Sequence, residues 1–442
     1  MPSRNHHLCP MMRFDTLPPV HKNVDPLGPR TPPSLGVSRR IESSTGPLAP
    51  VIANRIQHVQ SPVIPIVGRW TSEHPGTISL GQGVVHHAPP AEVFQAVCEA
   101  TGQAGNRASS LDRYGPVVGN DRLIELIQNK LIAENRIDPV AEQASVVCSA
   151  GSNMGFLNAI LAIADIGDEI ILLSPYYFNH HMAIEIAGCR AVVVATDDQN
   201  QPDLDAINDA ITPRTKAIVT VSPNNPTGAV YRESDLAEIN LMCAARGLYH
   251  LSDEAYEYFL HDGVRHYSPG CAVGASEHTI SLYSLSKSYG MSGWRIGYSV
   301  VPNHLVEGIR KIQDTNLICP PIVCQVAAAA ALEVGSDWCR EQIAGLTAVR
   351  DATLGSLAQL GDRCRYAVPK GAFYVLFQLQ TDRSDMTLVE TLIRQFSVAV
   401  LPGSAFGVSK GCSLRLSYGA LDPQSVREGV GRLRDGLATL LS

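Results

Sequence analysis

The chain has 442 residues, 45% of them hydrophobic, and a formal net charge of -7. That length exceeds one typical domain and implies two, and the acidic balance argues against a nucleic-acid surface. No run approaches the roughly 18 apolar residues of a membrane span. The 11 cysteines are odd in number and include no Cys-x-x-Cys pair, so they read as buried thiols of a reducing, cytoplasmic compartment. Neither His86-His87 nor His180-His181 has a third ligand at metal-site spacing, so no metal is expected.

Residues 1–48 are rich in proline and mixed polar residues, lack apolar periodicity, and are expected to form a disordered extension. They hold no apolar core of the kind a signal peptide needs, and Met11 and Met12 leave a later start open. Residues 49–90 are assigned to the N-terminal segment of a smaller domain, 91–332 to a large domain, and 333–442 to the C-terminal part of the smaller one. In the large domain, strand-like runs at 145–148, 169–173, 191–195, 216–221, 248–251 and 279–285 alternate with helical patterns at 153–164, 181–187, 204–211 and 233–245. Such alternation predicts an α/β fold, a mostly parallel sheet between helices. Only nine residues separate Ser286 from Ile296, too few for a parallel crossover, so 296–301 is expected to run antiparallel. The alanine-rich run 326–332 reads as a buried helix, and strands are expected near 365–368, 373–377 and 414–417 in the smaller domain.

Ligands of open α/β sheets sit beyond the carboxyl ends of the strands, and the residues with chemical potential gather there. In Tyr283-Ser-Leu-Ser-Lys-Ser-Tyr-Gly-Met-Ser-Gly-Trp-Arg-Ile-Gly297, Lys287 ends an apolar strand-like run. A lysine so placed can form a Schiff base with a carbonyl cofactor, and nearby hydroxyls with Arg295 suit a phosphate monoester. Asp253 and Tyr256 follow the 248–251 run; Asp253 is either a helix N-cap or a buried carboxylate that needs a cation. Ser222-Pro-Asn-Asn-Pro-Thr-Gly228 is a turn that projects an asparagine amide, which an ordinary Asn-Pro turn would also do. Ala150-Gly-Ser-Asn153 opens a helix, where glycine and a hydroxyl make either an anion site or a simple cap. Arg415, inside the apolar run Ser413-Leu-Arg-Leu-Ser417, must pair with something: a bidentate carboxylate ligand or a structural acid.

Taken together, these segments resemble the class I/II aminotransferases, the aspartate aminotransferase-like branch of the fold type I pyridoxal phosphate (PLP) enzymes, over residues 50–440. The resemblance implies a large PLP-binding domain with a smaller α/β domain drawn from both chain ends. It gives Lys287 the cofactor and the proton shuttle, Asp253 the ring nitrogen, and Tyr256 and Asn225 the phenolic oxygen. Gly151, Ser152, Asn153, Ser284 and Arg295 would hold the phosphate, and Tyr177 would stack on the ring. Tyr176 and Phe178 are read as core. Arg415 and Gly83, with Asn225, would take the substrate carboxylate. Tyr114, in Arg113-Tyr-Gly-Pro-Val-Val-Gly119, would reach the phosphate of a neighbouring subunit, which implies a homodimer with shared active sites.

The implied activity is ping-pong amino transfer from an L-amino acid to a 2-oxo acid such as 2-oxoglutarate. The motif set leans towards a dicarboxylic donor such as aspartate, with a histidine of the 86–87 pair or a partner-subunit arginine meeting the distal carboxylate. Asn153 points the other way, because some aspartate-specific members carry lysine there. A carbon–sulfur β-lyase or a cyclopropane-carboxylate synthase would share most of these motifs. A PLP-sensing regulator would need a winged helix domain, for which the proline-rich first 48 residues are too short.

Overall fold

A computed structural model of the chain describes residues 51–102 and 110–442. The extension expected over 1–48 lies outside the described residues. Seven strands form the main sheet in the order β2-β8-β7-β6-β5-β3-β4. They are β2 (Ala144–Ser149), β3 (Glu169–Ser174), β4 (Arg190–Ala195), β5 (Thr215–Val221), β6 (Tyr249–Asp253), β7 (Thr279–Ser284) and β8 (Gly297–Pro302). Ile170, Ile171, Leu172, Ile218, Val219, Leu251, Ile280 and Leu282 are all buried. Consecutive burial of this kind is what a parallel sheet covered on both faces requires, and it explains why these strands read as unbroken apolar runs.

β8 runs antiparallel to both of its neighbours, as the short connection demands. Its register positions the site. Gly297 lies opposite Ser149 at the end of β2 and opposite Ser284 at the end of β7. The segments that leave those two strands, 150–153 and 285–288, are therefore brought side by side.

A second sheet has the order β12-β13-β10-β9, all antiparallel. It comprises β9 (Cys364–Tyr366), β10 (Tyr374–Leu379), β12 (Leu401–Pro402) and β13 (Cys412–Ser417). β1 (Ile78–Ser79) pairs in parallel with β11 (Val398–Ala399), and the Ser417 amide donates to the Leu80 carbonyl at 2.7 Å. Residues before 90 are thus bonded to the C-terminal part of the chain. The helices Asp385–Phe396 and Pro423–Leu440 bury Leu388, Leu392, Val430, Leu433 and Leu437 in the core beside this sheet. Residues 52–442 form one compact unit. The alanine-rich segment is the helix Ile322–Val334, with Ala327, Ala328 and Ala331 fully buried. Among the described residues no single helix is long and apolar enough to cross a membrane.

One expectation shifts, and two short strands were not foreseen. The helix read at 181–187 begins at Phe178, because Tyr177 is already its N-cap. β11 and β12 have two residues each, too short for a period-2 pattern to register.

Candidate active site

A cavity of about 240 Å³ lies where the carboxyl ends of β5, β6 and β7 meet β10, β13 and residues 82–84. Its walls bring together Gly83, Ser152, Asn153, Tyr177, Asn225, Asp253, Tyr256, Ser284, Lys287, Arg295 and Arg415. All the residues assigned from the sequence to the cofactor or the α-carboxylate line it except Gly151, which lies beside Arg295, and Tyr114.

Lys287 lies on the short helix Leu285–Ser288 that caps β7. Its amine donates to the Gly83 carbonyl. Burial, then the nearby charges of Arg295 and Arg415, lower its pKa to about 8 against an opposing pull from Asp253. Such an amine is far more available as a base or nucleophile near neutrality than an ordinary lysine.

Asp253 ends β6 and is buried. Turns follow it, not a helix, so the N-cap alternative falls away. One carboxylate oxygen accepts from the Ala255 amide at 3.1 Å. The other lies 3.0 Å from His180 Nε2, and that imidazole is stacked on Phe156 with ring centroids 4.0 Å apart. His180 had been noticed only as half of a pair without metal spacing. It sits on the helix that starts beside Tyr177, and no sequence signal tied it to Asp253.

At one end of the cavity the helix Ser152–Ile163 presents its N-terminus, with Gly151 as N-cap and no side chain capping it. Gly151 has φ +81, and a Cβ there would collide with Nη2 of Arg295. Only glycine lets the guanidinium lie against the helix start. Arg295 itself adopts the left-handed conformation, φ 51, and Nη1 donates to the Ser292 carbonyl at 2.9 Å. A non-glycine residue there carries local strain of the sort found at ligand clamps. Ser284 caps the lysine helix, and Ser286, not singled out from the sequence, also lines the cavity. Open helix amides, hydroxyls and a guanidinium make an anion site.

Asn224 is occupied within its turn, where its side-chain oxygen accepts from the Thr227 amide at 3.1 Å and hydroxyl at 2.8 Å. Asn225 is the one that faces the cavity. Its amide donates to the Tyr256 hydroxyl at 3.4 Å, and its oxygen accepts from Arg415 Nη1 at 3.1 Å.

Arg415 is 1% exposed. It is held by Asn225, by the Gly81 carbonyl at 2.6 Å from Nη2, and between the rings of Tyr374 and Phe406. No carboxylate among the described residues pairs with it, which removes the structural salt-bridge alternative, and its Nε is buried without a partner. A guanidinium so enclosed calls for an anion. Tyr374, which sequence reasoning missed, places its hydroxyl 2.9 Å from that of Tyr256.

The Tyr177 and His180 rings meet at a right angle, and the Tyr177 hydroxyl accepts from Asn179 at 2.9 Å and Asn153 at 3.5 Å. Tyr176 and Phe178 are buried, though Phe178 reaches the cavity wall as well. The His86-His87 pair does not flank this cavity. It borders a separate pocket, with His87 against Trp338, so neither histidine lines this cavity. Tyr114 is 80% exposed and stands away from the cavity walls.

The family profile for aminotransferase class I and II matches residues 75–433. Aromatic aminotransferase ISS1 of Arabidopsis thaliana is 33% identical over 400 residues, covering 88% of this chain and 97% of that protein. Aspartate/prephenate aminotransferase of Thermus thermophilus is 32% identical over 360 residues, covering 80% and 89%. A solved Thermus thermophilus aspartate aminotransferase double mutant superposes with a TM-score of 0.79 at 30% identity, covering 88% of this chain and all of that one.

Proposed function

This chain belongs to the class I and II aminotransferases and is a transaminase; from that premise we propose that the cavity binds pyridoxal phosphate on Lys287 and serves a neutral, aromatic or aliphatic, amino donor. The observation that carries the assignment is a buried lysine with a lowered pKa, set between a carboxylate and an anion clamp. The donor set fits the cofactor: Gly151, Ser152, Asn153, Ser284 and Arg295 for its phosphate, and Asp253 for a protonated ring nitrogen. Asn225 and Tyr256 serve the phenolic oxygen, and the face of Tyr177 the ring. When bound, the cofactor supplies an electron-poor ring that makes the Cα–H of an amino acid acidic.

The chain's residues do the rest. Arg415 and Asn225 grip the α-carboxylate, with the Gly83 backbone beside them, and fix which Cα bond faces the ring. Lys287, as a neutral amine, would take and carry the proton from the substrate Cα. His180 Nε2 lies 3.0 Å from Asp253 and holds the carboxylate in position. Phe178, Val84 and Ile64 line the same cavity with apolar surface.

What supports the donor class is a shortage of cations contributed by this chain. Among the described residues the cavity has Lys287, Arg295 and Arg415, each already engaged, and the His86-His87 pair is turned away. An unpaired distal carboxylate would be strongly disfavoured. A dicarboxylic donor such as aspartate would then depend on a cation from a second subunit. A division of the chain into two lobes at about residues 90 and 332 is supported by the separate sheets. Tyr114, exposed here, would serve the neighbouring site of a homodimer. A cytoplasmic setting accords with the ten described cysteines all being free.

Borohydride reduction of the protein with bound cofactor, followed by peptide mapping, should label Lys287; any other lysine overturns the site. Values of kcat/KM for phenylalanine, methionine, alanine and aspartate, with several 2-oxo acids as acceptors, test the donor class. Preference for aspartate would reverse it. Release of ammonia and pyruvate without a new amino acid would instead mark a lyase.

A further inference from the structure

Tyr374 has no role in the chemistry set out above, yet it touches two of its centres. On the antiparallel pair β10–β13, Leu376 lies opposite Arg415, so period-2 alternation puts Tyr374 on the same face as the guanidinium. The Tyr374 ring centroid is 4.5 Å from Arg415 Cζ, and its hydroxyl is 2.9 Å from the Tyr256 hydroxyl.

Either hydroxyl can donate in that bond, and the role proposed for Tyr256 selects the direction. A phenol has one proton to give and accepts through its oxygen. The Tyr256 oxygen receives the Asn225 amide at 3.4 Å, a long contact. If Tyr256 is to give its proton to a ligand in the cavity, the bond between the two phenols must run from Tyr374 to Tyr256. We infer that Tyr374 is a positioning residue. Its hydroxyl donates to Tyr256, freeing and strengthening the Tyr256 proton for the cofactor's phenolic oxygen, while its ring holds the Arg415 guanidinium flat for the substrate carboxylate.

The inference rests on the role proposed for Tyr256. It accords with the relative acidity of the pair. Burial pushes Tyr374 up to about 12, with Arg415 restraining the rise, whereas Tyr256 is driven well above the ordinary tyrosine range by burial and by Tyr374 itself. The more acidic phenol is the better donor, and serial hydrogen bonds reinforce one another in a dry site.

Two substitutions separate the hydroxyl from the ring. Tyr374→Phe keeps the cation–π contact and removes only the donor; Tyr374→Leu removes both. The first readout is the pH at which the bound cofactor's visible absorbance titrates. A stronger hydrogen bond into the ring oxygen draws negative charge off it and loosens the proton held beside it. Loss of the Tyr374 hydroxyl should therefore raise that pH by about half a unit to one unit. The second readout is the Kd of 3-phenylpropionate, an unreactive carboxylate. It should stay within about twofold in Tyr374→Phe and weaken about three- to tenfold in Tyr374→Leu. A Tyr374→Phe protein that titrates at the parent pH, while Tyr256→Phe is shifted, overturns the relay and leaves the functional reading standing. Equal carboxylate affinity in the Phe and Leu variants overturns the role of the ring. A parent protein that takes up no pyridoxal phosphate overturns the functional reading, and the relay with it.

Discussion

The protonation of Lys287 can be measured before any cofactor is added. Folding lowers its pKa from 10.5 to about 8, chiefly through burial and then through Arg295 and Arg415. At pH 7 about a tenth of this amine is neutral, about 300-fold more than for an exposed lysine. The same fall means that the folded state disfavours the charged amine by about 3 kcal/mol, less where cavity water solvates it. The unfolded chain therefore holds the extra proton between pH 8 and 10.5, and stability rises with pH across that window. Below pH 8 the whole penalty is present. Lys287→Met should make the cofactor-free protein more stable at pH 7 by about 1–3 kcal/mol, with the difference vanishing as pH approaches 10.5. Pulsed amine labelling across a pH series, with peptides counted by mass spectrometry, gives the pKa directly. Arg295→Met should move the midpoint upward, since it removes a like charge. Half-labelling at the pH of ordinary lysines would refute the account of how the cavity prepares this amine.

Arg415→Ala should leave cofactor uptake nearly intact and raise KM for carboxylate substrates by about 30-fold or more, since losing one partner of a buried charged pair costs about 2–5 kcal/mol; steady-state kinetics with one donor decides it. Asp253→Ala should depress kcat far more than it raises KM, because the ring nitrogen loses its counter-ion while the carboxylate grip remains. Gly151→Ala should weaken cofactor affinity at least tenfold, because its Cβ displaces Arg295 and the residue is forced to φ +81; fluorescence titration with pyridoxal phosphate measures it. His180→Leu should lower cofactor affinity with little change in KM, as Asp253 loses its 3.0 Å partner.

Much of the cavity was legible because its parts hang from strand ends. Lys287, Asp253 and Asn225 each follow an apolar run, and a parallel sheet aligns such ends without help from distant sequence. The antiparallel β8 was legible from chain length alone. Tyr374 was not, because a tyrosine in an apolar strand reads as core, and its partner Tyr256 is 118 residues away. His180 was hidden for a related reason: its partner Asp253 belongs to another βα unit, and only the sheet order brings them together. The His86-His87 pair misled in the opposite sense. Its nearness in sequence to Gly83 placed it by the cleft, but the intervening residues Val84 and Val85 carry it to another pocket.

Electrostatics gives the arrangement its logic. Among the described residues the cavity walls carry three basic side chains, Lys287, Arg295 and Arg415, and one carboxylate, Asp253, which His180 already engages. Arg415 is fully enclosed with only neutral acceptors, the Gly81 carbonyl and the Asn225 side chain, and its Nε has none. A fold that buries cations in this way is held together elsewhere, by the apolar core around β10 and β13 and by the continuous core of the main sheet. The cavity therefore stores unfavourable free energy that anions release. A carboxylate at Arg415 would neutralise a buried charge the protein cannot neutralise itself, a phosphate at the helix start would pair with the more exposed Arg295, and ligands that bind only the folded state add their binding free energy to its stability. The same two anions are what Lys287 needs on either side of it. Arg295 and Arg415 lower the pKa of Lys287 only after burial does, so an anion beside either would offset part of that shift and leave the share due to burial in place.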